Sequence, residues 1–176
     1  MAATSAVHVF SGVSPGTGAD VTSTEVRYKR ADNSVVNALN PIPIPTSSVN
    51  YSWQKSFKLY ISTAPANQIT NLRWFTSGTS LGTGITHYAT TDSVYTQGST
   101  ADESALISGG TDSSTYTSGS PLTITSGLVC DSTDSFPLYE GTSGTQDFLI
   151  TQIGVGTSAS AGTSGVRTAT FRYNES

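Results

Sequence analysis

Residues 70–91 read TNLRWFTSGTSLGTGITHYATT, and the fold turns on whether they form a reactive loop or two strands with a connection. Gly78, Gly82 and Gly84 invite comparison with a phosphate-binding loop. The stretch lacks the Lys-Ser/Thr ending of a P-loop and the G-x-G-x-x-G order of a dinucleotide fold. The element expected after it is a strand, which offers no helix N-terminus to a phosphate. Gly12, Gly16 and Gly18 repeat the spacing in another polar segment, as turn chemistry would. His87 sits in a period-2 run between Thr86 and Tyr88, the setting of an ordinary strand histidine. Trp74 and Phe75 are adjacent, so on a strand one points in and the other out. The stretch therefore reads as strands over 67–76 and 84–91 joined by a glycine-rich connection.

Working outward, the composition agrees with strands. Of 176 residues, 28 are Ser and 28 are Thr, while charged residues make up 11%. Ordinary soluble domains carry roughly 25% charged residues. Eight Tyr, six Phe and two Trp separate the chain from a disordered one. Thr, Val, Ile and aromatic residues suit strands, and Gly, Ser, Asn and Asp suit turns. Further strands are expected over 7–10, 24–30, 51–62 and 121–125, with a late pair over 147–155 and 166–173 joined by a hairpin tip at 156–165. In SWQKSFKLYIS (52–62), Trp53, Lys55, Phe57, Leu59 and Ile61 share the face expected to meet the core. The expected fold is all-β: a single antiparallel β-sandwich or jelly roll with one short helix and an extended N-terminal arm. The arm is placed at 1–22 and the domain at 23–176.

Two stretches interrupt the strand pattern. Pro41-Ile42-Pro43-Ile44-Pro45 cannot be a central strand, because alternate residues lack the amide donor. An extended strap, lying along the surface or reaching to a neighbour, is expected there. Thr100-Ala101-Asp102-Glu103 has the spacing of a capping box, predicting a turn or two of helix through Ala105, Leu106 and Ile107 until Gly109 and Gly110. The polar segment 109–120 reads as a long loop.

Charge and motif content narrow the function. A net charge of −4 and a pI near 4.9 argue against non-specific nucleic-acid binding. Arg27 and Lys29 would share one face of a solvated edge strand. Cys130 is the sole cysteine, so no internal disulfide framework is expected. No secretory signal is legible in residues 1–20, and no apolar run approaches a membrane span of about 18 residues. No G-x-S-x-G elbow is present, and His8 and His87 lie far from each other and from Cys130, an unpromising set for zinc. Asp131 and Asp134 offer oxygens for calcium without the EF-hand order. A glycosidase pair would need two carboxylates across a cleft, and Asp102 and Glu103 are accounted for by capping. No catalytic residue, metal or cofactor is expected. Trp53, Trp74, Tyr60, Tyr88 and Tyr95 leave a sugar-stacking face open as an alternative to core packing.

The stretches KLYISTAPANQITNLRWFTSG (58–78) and GTGITHYATTDSVYTQ (82–97), with the ending RTATFRYNES (167–176), resemble small tailed-phage virion proteins. They are similar to capsid decoration (cement) proteins with a jelly-roll or sandwich fold. The likeness covers 50–176, and no functional residue is carried over from it. It implies a non-enzymatic protein of the virion, assembled in the host cytoplasm, that bridges major capsid subunits and associates as a trimer or dimer. Nucleic acid and membrane are not expected partners. Pro41, Ile42, Pro43, Ile44 and Pro45 are the expected interface strap, with Trp74 and Tyr88 as anchors if they face outward. The alternative is a tail or baseplate accessory, or a carbohydrate-binding module.

Overall fold

The computed structural model describes residues 2–13, 15, 18–33, 35, 38–99, 103–139, 145–162 and 164–176. These residues build two antiparallel sheets. The larger contains β1 (Ser5–Phe10), β2 (Ala19–Asp20), β3 (Val49–Tyr51), β4 (Lys55–Ile61), β6 (Ile85–Asp92), β7 (Thr111–Asp112) and β9 (Phe148–Gly156). The smaller contains β5 (Gln68–Thr76), β8 (Leu122–Asp131) and β10 (Ala169–Glu175). Their orders are β2-β1-β4-β9-β6-β7, with β3 also on β9, and β10-β5-β8. From β4 onward the chain passes back and forth between the sheets. β5 and β6 are thus two strands with a glycine-rich connection, as residues 70–91 suggest, but they lie in opposite layers.

The sheets meet through one face each. Val9, Phe57, Leu59, Ile61, Ala89 and Leu149 of the larger pack on Ile69, Leu72, Trp74, Ile124, Val129 and Cys130 of the smaller. Phe57, Leu59 and Ile61 face this core, as alternation in 52–62 predicts. β5 needs a correction to strict alternation to do the same, because Ile69 and Leu72 are three residues apart yet both fully buried. The pairing with β8 shifts register there, and Asn71 adopts φ 55°. A short amide side chain tolerates that left-handed backbone, and the extra residue resets the inward face.

β9 is buried on both faces. Behind it, Phe10, Ile107, Phe148 and Ile150 form a second cluster with Tyr88, Tyr95 and Tyr139 packed on it. Gln152, fully buried, ties this layer down: its Oε1 accepts from Ile107 N (2.9 Å) and its Nε2 donates to Ser52 O (3.0 Å). Gly154 lies beneath Tyr51 and Tyr88, where a Cβ would stand 2.9 Å from the Tyr88 ring. Beyond Phe57, where the pairing of β4 with β9 stops, the Gln146 side-chain amide takes the place of a strand, accepting from Leu59 N and donating to Leu59 O, both at 2.8 Å.

Several expectations are corrected. Within the arm expected at 1–22, residues 5–10 are instead a strand of the main sheet: β1 pairs along its whole length with β4, and Val9 and Phe10 are in the two cores. Residues 24–30 form no strand, and Lys29 is buried with Nζ on Val35 O (2.8 Å), so no solvated Arg27–Lys29 edge exists. The helix expected through Ala105, Leu106 and Ile107 is irregular backbone fastened by Gln152. Thr100, Ala101 and Asp102 of the proposed capping box lie outside the described residues. Glu103 instead accepts from Trp53 Nε1 (2.8 Å) and pairs with Arg30. β9 and β10 belong to different sheets, so 156–165 is a crossing between layers, not a hairpin tip.

Candidate functional site

Seven strands face three, so the smaller sheet cannot cover the inner face of the larger. The remainder of that face is roofed by extended segments around residues 21–29, 38–44 and 164–168. Between roof and sheet lies a cavity of about 910 Å³. Its floor includes Ile85, His87, Thr151, Ile153 and Val155 from β6 and β9, and Trp74 borders it from β5. Leu81 of the glycine connection also lines it; within that connection Gly78, Gly82 and Gly84 all have positive φ, and a Cβ on Gly84 would lie 2.6 Å from Ala159 N. These glycines serve turn geometry and close packing.

A chain of polar side chains crosses the floor. Arg167 Nη1 donates to Ser113 Oγ (2.7 Å), which is 2.8 Å from His87 Nδ1. His87 Nε2 is 3.0 Å from Tyr28 Oη, which is 2.6 Å from Thr151 Oγ1. Arginine can only donate, so Ser113 Oγ accepts from Arg167, while both imidazole tautomers satisfy the rest of the chain. Ser113 is placed by a 3-10 turn at Ser113–Thr115, capped by Asp112, whose carboxylate accepts from Ser114 N. Burial, reinforced by the Arg167 charge, lowers the pKa of His87 to about 3. Burial likewise raises the Tyr28 phenol far above its ordinary range. The chain is neutral apart from Arg167 throughout physiological pH.

This constellation includes a serine beside a histidine, but its chemistry is not that of a triad. A base with a pKa near 3 takes up a proton poorly at neutral pH. The partner on the far ring nitrogen is a tyrosine, not an orienting carboxylate. Ser113 is fully buried and already accepts from Arg167.

The residues singled out from the sequence are distributed as follows. Pro41, Pro43 and Ile44 are exposed and Ile42 and Pro45 half-buried, forming an extended strap on the chain's own domain. Ile42 packs toward Leu81, Ile153 and Val155, while Asn50 Nδ2 holds Pro43 O (2.9 Å). Pro41, Ile42, Pro43 and Ile44 also border the cavity. Trp74 is 1% exposed and faces His87 across 6.0 Å, so it cannot be an outward anchor in this fold. Tyr88 is half-buried on the opposite face of the larger sheet, 6.2 Å from Tyr51. Tyr60 stacks on His8 at 4.4 Å and Tyr95 packs on Phe10 and Phe148, so the five aromatics considered for sugar stacking form no single face. Asp131 and Asp134 turn their carboxylates onto local amides, Thr133 N and Asp131 N. Among the described residues no group of three His, Cys, Asp or Glu side chains converges for a metal.

Tyr28, Ser113, Thr151 and Arg167 escape sequence reasoning. Among 56 hydroxyl residues nothing marks Ser113 or Thr151. Arg167, a lone cation in a long hydroxyl- and glycine-rich stretch, is the one visible signal. Compared with protein-family models, curated proteins and solved structures, the chain matches none of them.

Proposed function

We propose that this chain is a non-enzymatic structural protein of a tailed-phage virion, decorating the capsid by bridging major capsid subunits and self-associating as a trimer or dimer. The observation that carries the non-catalytic reading is the closed polar chain, in which the histidine and serine are bonded to each other and to further partners. The docking part draws support from the surface. Leu39, Ile44 and Val166 are exposed by 67%, 40% and 70%, and all three border the same opening beside the proline strap. The strap is already held in place by Asn50 Nδ2 on Pro43 O and by Arg30 N on Asn40 O, so docking it loses little conformational entropy. Small hydroxyls around it likewise lose little entropy on ordering. Contacts repeated over a closed shell add by multivalency, and each copy need contribute only modestly.

The test is localisation joined to shell strength. An antibody against the chain should label intact heads, and particles assembled without it should release DNA at lower temperature until purified chain is added back. Labelling confined to tails would move the chain to an accessory role there. Unlabelled particles with unchanged heat resistance would overturn the virion reading altogether.

A further inference from the structure

We infer that the cavity between the larger sheet and its extended roof is a binding site for an anionic amphiphile, an apolar chain ending in an acidic head group. The inference is independent of the virion reading. Its volume of about 910 Å³ lies at the upper end of the roughly 300–1,000 Å³ of small-molecule pockets. Much of the wall is aliphatic: Leu81, Ile85, Ile153 and Val155 line one region, with Ile42 above them. Tyr28 packs on the same cluster, and its hydroxyl, with His87 and Arg167, supplies polar groups to the lining. A largely apolar lining with a few polar groups suits a ligand with an oily body and one polar end.

The sign of the head group follows from the charges. The chain as a whole carries −4, yet three of its eight Lys and Arg residues, Arg27, Lys29 and Arg167, border this one cavity. Glu25 is the single acidic residue among the lining side chains, and it is paired with Arg27 at 3.4 Å. Lys29 turns its ammonium onto Val35 O and Arg27 is offset by Glu25, so the charge the cavity offers a ligand is that of Arg167. Arg167 is only half-buried, and its Nε and Nη1 hold Thr79 O and Ser113 Oγ, which fixes the guanidinium at the cavity wall. A carboxylate or sulfate arriving there meets a charge positioned in advance, with neutral His87 and Tyr28 beside it. The apolar tail replaces water on the aliphatic floor, the larger part of the driving force.

The test uses the full chain and two probes of equal tail length, dodecanoate and dodecanol, titrated by calorimetry. Trp74 emission is followed in a Trp53→Phe background. One dodecanoate per chain is expected to bind saturably, perturbing Trp74 and exceeding dodecanol in affinity by about tenfold, the worth of one charge-assisted contact. Arg167→Lys should keep the preference and Arg167→Gln should abolish it. Val155→Phe, which fills the aliphatic region without touching a charge, should weaken both probes, and its melting curve reports that the fold is intact. Absent or non-saturable binding, equal affinity for the two probes, or binding indifferent to Val155→Phe would each overturn the assignment.

Discussion

Acidification should expose the buried histidine as a stability switch. His87 is 6% exposed and its pKa is lowered to about 3 by burial, with Arg167 adding to the effect. In the unfolded chain the imidazole returns to its ordinary value of about 6.5. Between these two values the unfolded state binds a proton that the native state refuses, so stability falls as pH falls. His87 makes its full contribution above pH ~6.5 and loses it progressively toward pH ~3, at up to about 1.4 kcal/mol per pH unit. From pH 6.5 to 4.5 this amounts to about 2 kcal/mol, a large part of the 5–15 kcal/mol typical of a domain. The perturbation is His87→Gln, which removes the titration while keeping a polar side chain. Urea unfolding of both proteins should be followed by circular dichroism at pH 7.5, 6.5, 5.5 and 4.5. The variant should be the less stable at pH 7.5, because it breaks the chain from Arg167 to Thr151. The difference between the two proteins should then shrink with acid, since carboxylates and His8 titrate in both and cancel. Parallel loss of stability across that range would refute the reasoning, because it would mean His87 is protonated as easily folded as unfolded.

Other perturbations address separate parts of the fold. Gln146→Ala removes the side-chain amide that completes the edge of β4, leaving Leu59 N–H and C=O unpartnered; unfolding should show a loss of about 2–4 kcal/mol. Lys55, buried with Nζ on Asn33 O (2.7 Å), has its pKa lowered to about 8 by burial. Between pH 8 and 9.5 the unfolded chain retains the proton more than the native one, so the wild-type protein should gain up to about 2 kcal/mol relative to Lys55→Met, measured by urea unfolding. Burial lifts the Cys130 thiol to about 11, so a thiol-specific reagent at pH 8 should modify it only at the rate of unfolding. Trp74→Ala should lower stability by about 3–5 kcal/mol and leave surface contacts untouched, whereas an interface anchor would show the reverse.

What the sequence determines here is local: strand composition, turn chemistry at Gly78, Gly82 and Gly84, the inward face of Phe57, Leu59 and Ile61, and the extended proline strap. Each follows from backbone sterics or from the two-residue period of a strand, which neighbouring residues settle among themselves. Only the tertiary structure decides that β5 and β6 part into different layers, that residues 5–10 become a strand of the main sheet, and that residues 24–30 roof a cavity. Strand pairing joins residues remote in sequence, such as Val9 with Phe57 and His87 with Ile153, and period-2 patterning carries no label for the partner. The same reason hides the polar chain. Tyr28, His87, Ser113, Thr151 and Arg167 come from five separate segments, and a hydroxyl becomes distinctive only when folding removes it from water beside a histidine.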